Sequence, residues 1–277
     1  MNKLAEQYLA RHQEDFDAPW RLWVEPFQIE GNLYFVGNKD GASHLVDTGN
    51  GLILFDTNYP TAAPLLFHSI WKIGFDPEQI CAIFHTHGHF DHFGATAMLC
   101  ALTGAKTYIG EQDSRMMRER PELTLMEKNT PMWTALFTPD VELKDGDVIT
   151  IGRTTVRTID TSGHSPGAMS YMFNVDSGDH EYIAGLHGGA GFNTLSREFE
   201  RTYQTGSLRE NFWASFKRLE TEHVDIFLGN HTNQSNTLEK RASKIAKGGN
   251  PFIDERAWKR YLESLSESFS AFVREDP

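Results

Sequence analysis

HTHGHFDHFGAT, residues 85–96, puts four histidines and one aspartate into eight consecutive positions, directly after the apolar run ICAIF (80–84) and before an apolar segment at 94–103. The run has the length and content of a buried strand, and the segment after it suits a buried helix. The cluster therefore belongs at the C-terminal end of a strand, where the chain turns into a helix. Imidazoles and carboxylates are the ligands zinc prefers where thiolate is absent, and a catalytic zinc keeps one position open for water. His87 and His89, two apart in an extended segment, point to the same side and can chelate one ion, while Asp91 and His92, at the turn into the helix, can face a second. His85 shares that parity but falls inside the strand, and reads as a structural histidine.

Surface turns also collect His and Asp, so the cluster needs its surroundings to be read as a site. Two downstream histidines supply them: His164 in TSGHSPGAMSY and His231 in FLGNHTNQS each follow an apolar strand, where a loop turns toward the same sheet end. His187 in GLHGGAG and His223 before VDIFL carry no spacing of this kind, but His187 rides a glycine loop that can pass near the metals, as a candidate substrate-loop residue.

On either side of this centre the chain reads as two meanders. FQIEGNLYFVG and SHLVDTGNGLILFDTN alternate apolar and polar residues, with Asn50-Gly51 as a hairpin signal. A helical stretch begins at Pro60, and the short strand KTYIG is followed by a Met-rich segment, 111–138, read as helix plus loop. VELKDGDVITIG, TTVRTID, MSYMFNV and EYIAGL form the second meander; helices are expected at 207–222, 237–247 and 254–273, with a strand at 224–230 between the first two. Two sheets packed together with helices outside account for this order. No linker divides the chain, so residues 1–277 read as one domain, with 1–25 as an N-terminal extension of short helix and Pro/Trp-rich connection.

The chain has 277 residues, 39% of them hydrophobic, enough for a sizeable core. A formal net charge of −12 repels nucleic acid and anionic lipid over most of the surface, which excludes both as partners. No window approaches a membrane span, and the first residues lack a basic stretch followed by an apolar run. The expectation is a cytoplasmic protein, or a periplasmic or secreted one if a signal peptide was trimmed. Cys81 and Cys100 read as two reduced, buried thiols on neighbouring elements.

Taken together, these motifs resemble the metallo-β-lactamase fold hydrolases: α/β proteins with a four-layered αββα sandwich of two mixed β-sheets, helices on the outer faces and a binuclear zinc site at one edge. The resemblance runs from PFQIEGNLYFVG to GGNPFID and is nearest in pattern to the third subclass of zinc β-lactamases. Its marks are Pro26, Phe27, Gly31 and Asn32 in the first strand, the GHSPG loop at 163–167, and NPFID at 250–254. It implies that His87, His89 and His164 hold one zinc, that Asp91, His92 and His231 hold the other, and that Asp56, closing LILFD, supports the site from below. Many members carry a bridging aspartate, and two β-lactamase subclasses a cysteine, where this chain has Ala184, Gly185 and Leu186. The serine-bearing stretch that helps the third subclass hold a substrate carboxylate is missing too.

The chemistry expected of two Zn2+ ions is hydrolysis, because they lower the pKa of a shared water from 15.7 towards about 7. The resulting hydroxide attacks an activated carbonyl of a small-molecule substrate, and Asp91, a ligand, also orients it as a catalytic residue. Amide cleavage has the poorer leaving group and gains most from a second metal without an extra anionic bridge, which favours a β-lactam or similar cyclic amide. The alternative is a lactone or thioester hydrolase of the same superfamily. A non-hydrolytic redox metalloprotein is disfavoured, because such members tend to add a flavin domain or carboxylate ligands. Met126 and Trp133, with the glycine loop 188–191, are expected to form an apolar wall that sets substrate choice.

Overall fold

The computed structural model describes residues 18–126, 135–206 and 208–277. Its organising strand is β4 (Leu52–Phe55), buried at all four positions, with Ile53 and Phe55 in one apolar layer and Leu52 and Leu54 in another. A strand with no polar face belongs inside a sheet covered on both sides. The antiparallel meander β1 (Phe27–Glu30), β2 (Leu33–Phe35), β3 (His44–Asp47) lies on one flank of β4. On the other flank β5 (Ile80–Phe84), β6 (Lys106–Gly110) and β7 (Val141–Leu143) run parallel to it, giving a seven-stranded mixed sheet in the order β1 to β7. The β3–β4 turn places Gly49 and Gly51 at φ of 75° and 99°, the left-handed backbone that its Asn-Gly pair predicts.

The second sheet has five strands: β8 (Val148–Ile151), β9 (Thr154–Asp160), β10 (Met169–Asp176), β11 (Glu181–Leu186) and β12 (Ile226–Leu228). Only the β11–β12 pair is parallel, so this sheet is mixed as well. The two sheets meet through aromatic rings: Phe55 stacks on Phe173 at 4.6 Å between centroids, and Phe84 meets Tyr171 edge-on at 5.6 Å. Each such fully buried ring contributes roughly 1.5–3 kcal/mol.

Helices close both outer faces. They are α1 (Ala63–Lys72), α2 (Phe90–Phe93), α3 (Thr96–Thr103), α4 (Glu111–Glu119), α5 (Arg197–Tyr203), α6 (Arg209–Leu219), α7 (Thr237–Lys247) and α8 (Ala257–Glu275). Leu66 and Ile70 of α1 and Leu99 of α3 cover the first sheet, while Phe212 and Phe216 of α6 and Trp258 of α8 cover the second. This is the four-layered αββα sandwich. Among the described residues no helix is long and apolar enough to cross a membrane.

Two expectations are corrected. The helix of segment 94–103 is not buried all round: Leu99 is, but Met98 and Leu102, four apart on its other face, are 43% and 62% exposed. Both cysteines are free, but neither is buried, Cys81 being exposed and Cys100 partly so. The cause at Cys81 is a bulge. Leu52 pairs with Ile80 and Ile53 with Ala82, so Cys81 is the extra residue and drops out of the alternation.

Candidate metal centre

The C-terminal ends of β4, β5, β9, β11 and β12 deliver their loops to one edge of the sandwich. Asp56 follows β4, residues 85–92 follow β5, His164 follows β9, the loop 187–191 follows β11, and Asn230 and His231 follow β12. There His87, His89 and His164 bring one ring nitrogen each to within 4.8 Å of one another, and Asp91, His92 and His231 bring one ligand atom each within the same limit. The two groups adjoin, with the His87 and His92 rings 4.1 Å apart between centroids.

Hydrogen bonds set the tautomers in the first group. His87 Nδ1 donates to the Gly188 carbonyl at 2.9 Å and His164 Nδ1 to the Gly191 carbonyl at 2.8 Å. That leaves lone pairs on both Nε2 atoms, which face each other at 3.2 Å, and His89 Nδ1 stands 3.0 Å from His164 Nε2. Converging lone pairs repel unless a cation lies among them, so this donor set fits a divalent metal. Burial holds the three rings neutral, His87 and His89 well below the ordinary histidine range and His164 at about 4, which is the form that ligates. His89 Nε2 is buried with no partner among the described residues.

Carboxylates dominate the second group. Asp91 Oδ2 lies 3.4 Å from both His92 Nε2 and His231 Nε2, and His92 Nδ1 donates to Asp56 Oδ2 at 2.8 Å. Burial alone would lower His92, but Asp91 and Asp56 outweigh it and raise it to about 9; against its own partial burial, Asp40 and Asp91 raise His231 to about 10. Burial would raise Asp91, yet His92 and His231 hold it well below the usual carboxylate range. Without a metal these anions hold protons on the imidazoles; the charge they call for is the one a divalent cation supplies. Two nitrogens and a carboxylate are a donor set suited to zinc.

Asp56 anchors the floor, accepting from Thr86 N and Thr86 Oγ1 at 2.7 Å each as well as from His92. Its backbone is left-handed, φ 54°, a conformation that costs a non-glycine residue on the order of 1 kcal/mol and recurs at functional sites. The glycine loop fits tightly round His164: a Cβ on Gly189 would lie 2.5 Å from its ring.

His85 bonds the Tyr108 carbonyl and Thr96 Oγ1 and is fully buried, outside both groups. His187 is also buried; its Nδ1 accepts from Gly189 N at 3.1 Å and its ring lies against Tyr261, 5.4 Å between centroids. It thus braces the glycine loop. Met126 is partly buried against the cluster containing Phe90, Phe93 and Met117. Trp133 lies outside the described residues. His223 is exposed and pairs with Asp225.

Four supporting residues carried no signal in the spacing. Asp40 Oδ1 lies 3.5 Å from His231 Nδ1 and Asp40 Oδ2 accepts from Tyr59 OH. Asn230 donates to Thr86 Oγ1 and to the Gly188 carbonyl, tying three of the loops together. Thr86 bonds Asp56, and Asp113 accepts from Gly88 N, between His87 and His89, and from the Ser165 hydroxyl, next to His164. Each is an ordinary turn or helix residue in sequence, and only the tertiary fold brings it to the centre.

A profile of the metallo-beta-lactamase superfamily matches residues 36–177, just over half of the chain. The chain is 30% identical to a subclass B3 metallo-beta-lactamase of Bradyrhizobium japonicum, over 93% of its own length and 96% of that structure, with a TM-score of 0.83. It is 27% identical to a metallo-beta-lactamase from Legionella gormanii, over 91% and 97% of the two chains, with a TM-score of 0.82. Among curated proteins, a hydroxyacylglutathione hydrolase of Methylococcus capsulatus is 27% identical over 73% of this chain and 64% of its own. The matched stretches span between 23% and 67% of the length of such curated relatives, the upper figure for an uncharacterized protein of Bacillus subtilis.

Proposed function

Because the chain belongs to the metallo-beta-lactamase superfamily of hydrolases, we propose that it is a binuclear zinc hydrolase that opens a β-lactam or similar cyclic amide. In this reading His87, His89 and His164 hold one Zn2+, and Asp91, His92 and His231 hold the other. Zinc in such a pair makes hydroxide available at neutral pH by lowering the pKa of water from 15.7 to about 7.

The remaining work belongs to the chain. Asp91, an acceptor held ionised by two imidazoles, orients the attacking water by taking a hydrogen bond from it. Asp56 and Asp40 fix the ring planes of His92 and His231, and the carbonyls of Gly188 and Gly191 fix those of His87 and His164.

The observation that carries the cyclic-amide reading is the make-up of β11. Where a bridging carboxylate or thiolate would stand, the strand has buried Ala184, Gly185 and Leu186, with Ala184 and Leu186 turned into the core between the sheets. With no further anion at this place, the six ligands would leave more of a bound metal pair's positive charge for a departing amide nitrogen. The hydroxyacylglutathione hydrolases among the relatives favour a second reading, a lactone or thioester hydrolase with the same ligands.

The test is metal analysis of the purified protein with parallel assays on nitrocefin, a homoserine lactone and a thioester. Two zinc ions per chain and highest kcat/KM on nitrocefin are expected; a thioester or lactone preference decides for the second reading. His164→Ala and His231→Ala should each lose one zinc and more than about 100-fold in turnover. A His231→Ala protein with two tightly held zinc ions and full activity overturns the ligand assignment.

A further inference from the structure

Asp113 stands on α4, outside both ligand groups, and is fully buried. Its Oδ2 accepts from Gly88 N at 2.7 Å and from Ser165 Oγ at 2.6 Å, and its Oδ1 accepts from Gly167 N at 2.6 Å. Gly88 lies between His87 and His89, and Ser165 follows His164. The first loop hangs from β5 in one sheet and the second from β9 in the other. A single carboxylate therefore joins the two sheets at the point where the three histidines converge.

The approach is close on both sides. A Cβ on Gly88 would meet Met116 Cε at 2.9 Å and Asp113 Cβ at 3.4 Å, and one on Gly167 would lie 2.3 Å from Asp113 N. Both glycines make room for α4 to dock against the loops. Two of the three donors are backbone N–H groups, which can only donate, so the position demands an acceptor on both oxygens. The second ligand group is braced by other carboxylates, Asp56 and Asp40.

We propose that Asp113 is a positioning residue that staples the His87/His89 loop to the His164 loop, and so sets the geometry of the first metal position independently of the second. This rests on the reading that the three histidines hold a metal. Without the staple the first position loosens, because Asp113 ties its two loops together, while the second, whose ligands also come from both sheets, keeps its own supports in Asp56 and Asp40.

The variants are Asp113→Asn, which turns an amide NH2 toward one of the donors, and Ser165→Ala, which removes one donor of three. Zinc titration of the metal-free full chain against a chromophoric chelator, cobalt(II) absorption spectra and thermal melting by circular dichroism are the measurements. Wild type should bind two zinc ions. Asp113→Asn should lose about 10–100-fold in affinity at one position only, and Ser165→Ala less, also at one position. With one equivalent of cobalt(II), the Asp113→Asn spectrum should match that of His164→Ala and differ from that of His231→Ala.

Equal weakening at both positions means general destabilisation and overturns the staple, as does unchanged two-site affinity in Asp113→Asn. If Asp113→Asn fails to fold, Ser165→Ala decides by the same criteria. A wild-type chain that binds no zinc overturns the metal reading itself, and the staple with it.

Discussion

His92 Nδ1 and Asp56 Oδ2 stand 2.8 Å apart, both buried, and this one bond decides which nitrogen His92 presents to the metal edge. With Nδ1 committed to Asp56, Nε2 is turned to Asp91, 3.4 Å away. Asp56 is itself fixed by Thr86, whose N and Oγ1 occupy both of its oxygens. The carboxylate thus links the end of β4 to the loop after β5, and the ligand to its support, through three donors and a left-handed backbone.

Asp56→Asn should expose that dependence. Its amide must put NH2 toward either Thr86 N–H or His92 Nδ1–H, and a buried donor then faces a donor. The expected result is about 10–100-fold weaker zinc at the Asp91/His92/His231 position, with a stability loss of about 1–3 kcal/mol. Chelator competition and urea unfolding read the two effects; unchanged affinity would mean that His92 is held by its packing alone.

Gly189→Ala tests the glycine loop. The added methyl would lie 2.5 Å from His164 Cδ2 and 3.0 Å from Cγ, so the ring or the loop must move. Turnover should fall at least about 10-fold, through a displaced ligand rather than a lost fold. Gly248→Ala is the control: unlike Gly189 it has a positive φ, 72°, but nothing lies within 4 Å of its Cβ, so it should cost stability and leave zinc and kcat unchanged. Equal kinetics in the two variants count against a constrained loop.

How much of this was legible beforehand follows from what each signal depends on. The ICAIF run and the H-x-H-x-D-H spacing are local, and they place β5, the turn into α2 and the convergent side chains directly. The boundaries of α7 at 237 and 247 were equally local. The bulge that exposes Cys81 was not, because it arises from pairing with Leu52 and Ile53 in another strand. Asp40 and Asp113 were invisible for the same reason: a lone aspartate in a turn or on a polar helix has no periodicity, and its role comes from loops brought to it by the fold.

A fully buried histidine away from the ligands makes a contribution to the pH dependence whose sign follows from its burial. His44 donates from Nε2 to the Gly229 carbonyl at 3.0 Å; burial pulls it down to about 4, against opposing pulls from that carbonyl and from Asp56. Above about pH 6.5 the ring is neutral in both states. Below it the unfolded chain takes up a proton that the folded chain refuses until about 4, so stability is lost as the pH falls through that window. The loss is about 1.4 kcal/mol per pH unit, or roughly 2 kcal/mol by pH 5. In metal-free protein, His44→Gln should shrink the difference in unfolding free energy between pH 7 and pH 5 by about that amount. A difference as large as in wild type would assign the acid sensitivity elsewhere.

Met126 brings packing and substrate choice to a single test. It is partly buried on the cluster that includes Phe90 and Phe93, the two residues that flank Asp91 and His92 in α2. Truncating it removes contacts beneath the helix that carries Asp91 and His92, two of the three residues of the second ligand group. A fully buried Met→Ala costs about 2–5 kcal/mol; a partly buried one should cost about 1–2 kcal/mol, or roughly 4 °C in Tm. If packing is its main role, Met126→Ala lowers Tm by that amount and leaves the ranking of kcat/KM across penicillins, carbapenems and lactones as it was, which is the outcome we expect. A changed ranking at unchanged Tm would instead put the thioether in the substrate wall, because only a side chain that touches the substrate can alter selection without altering the fold.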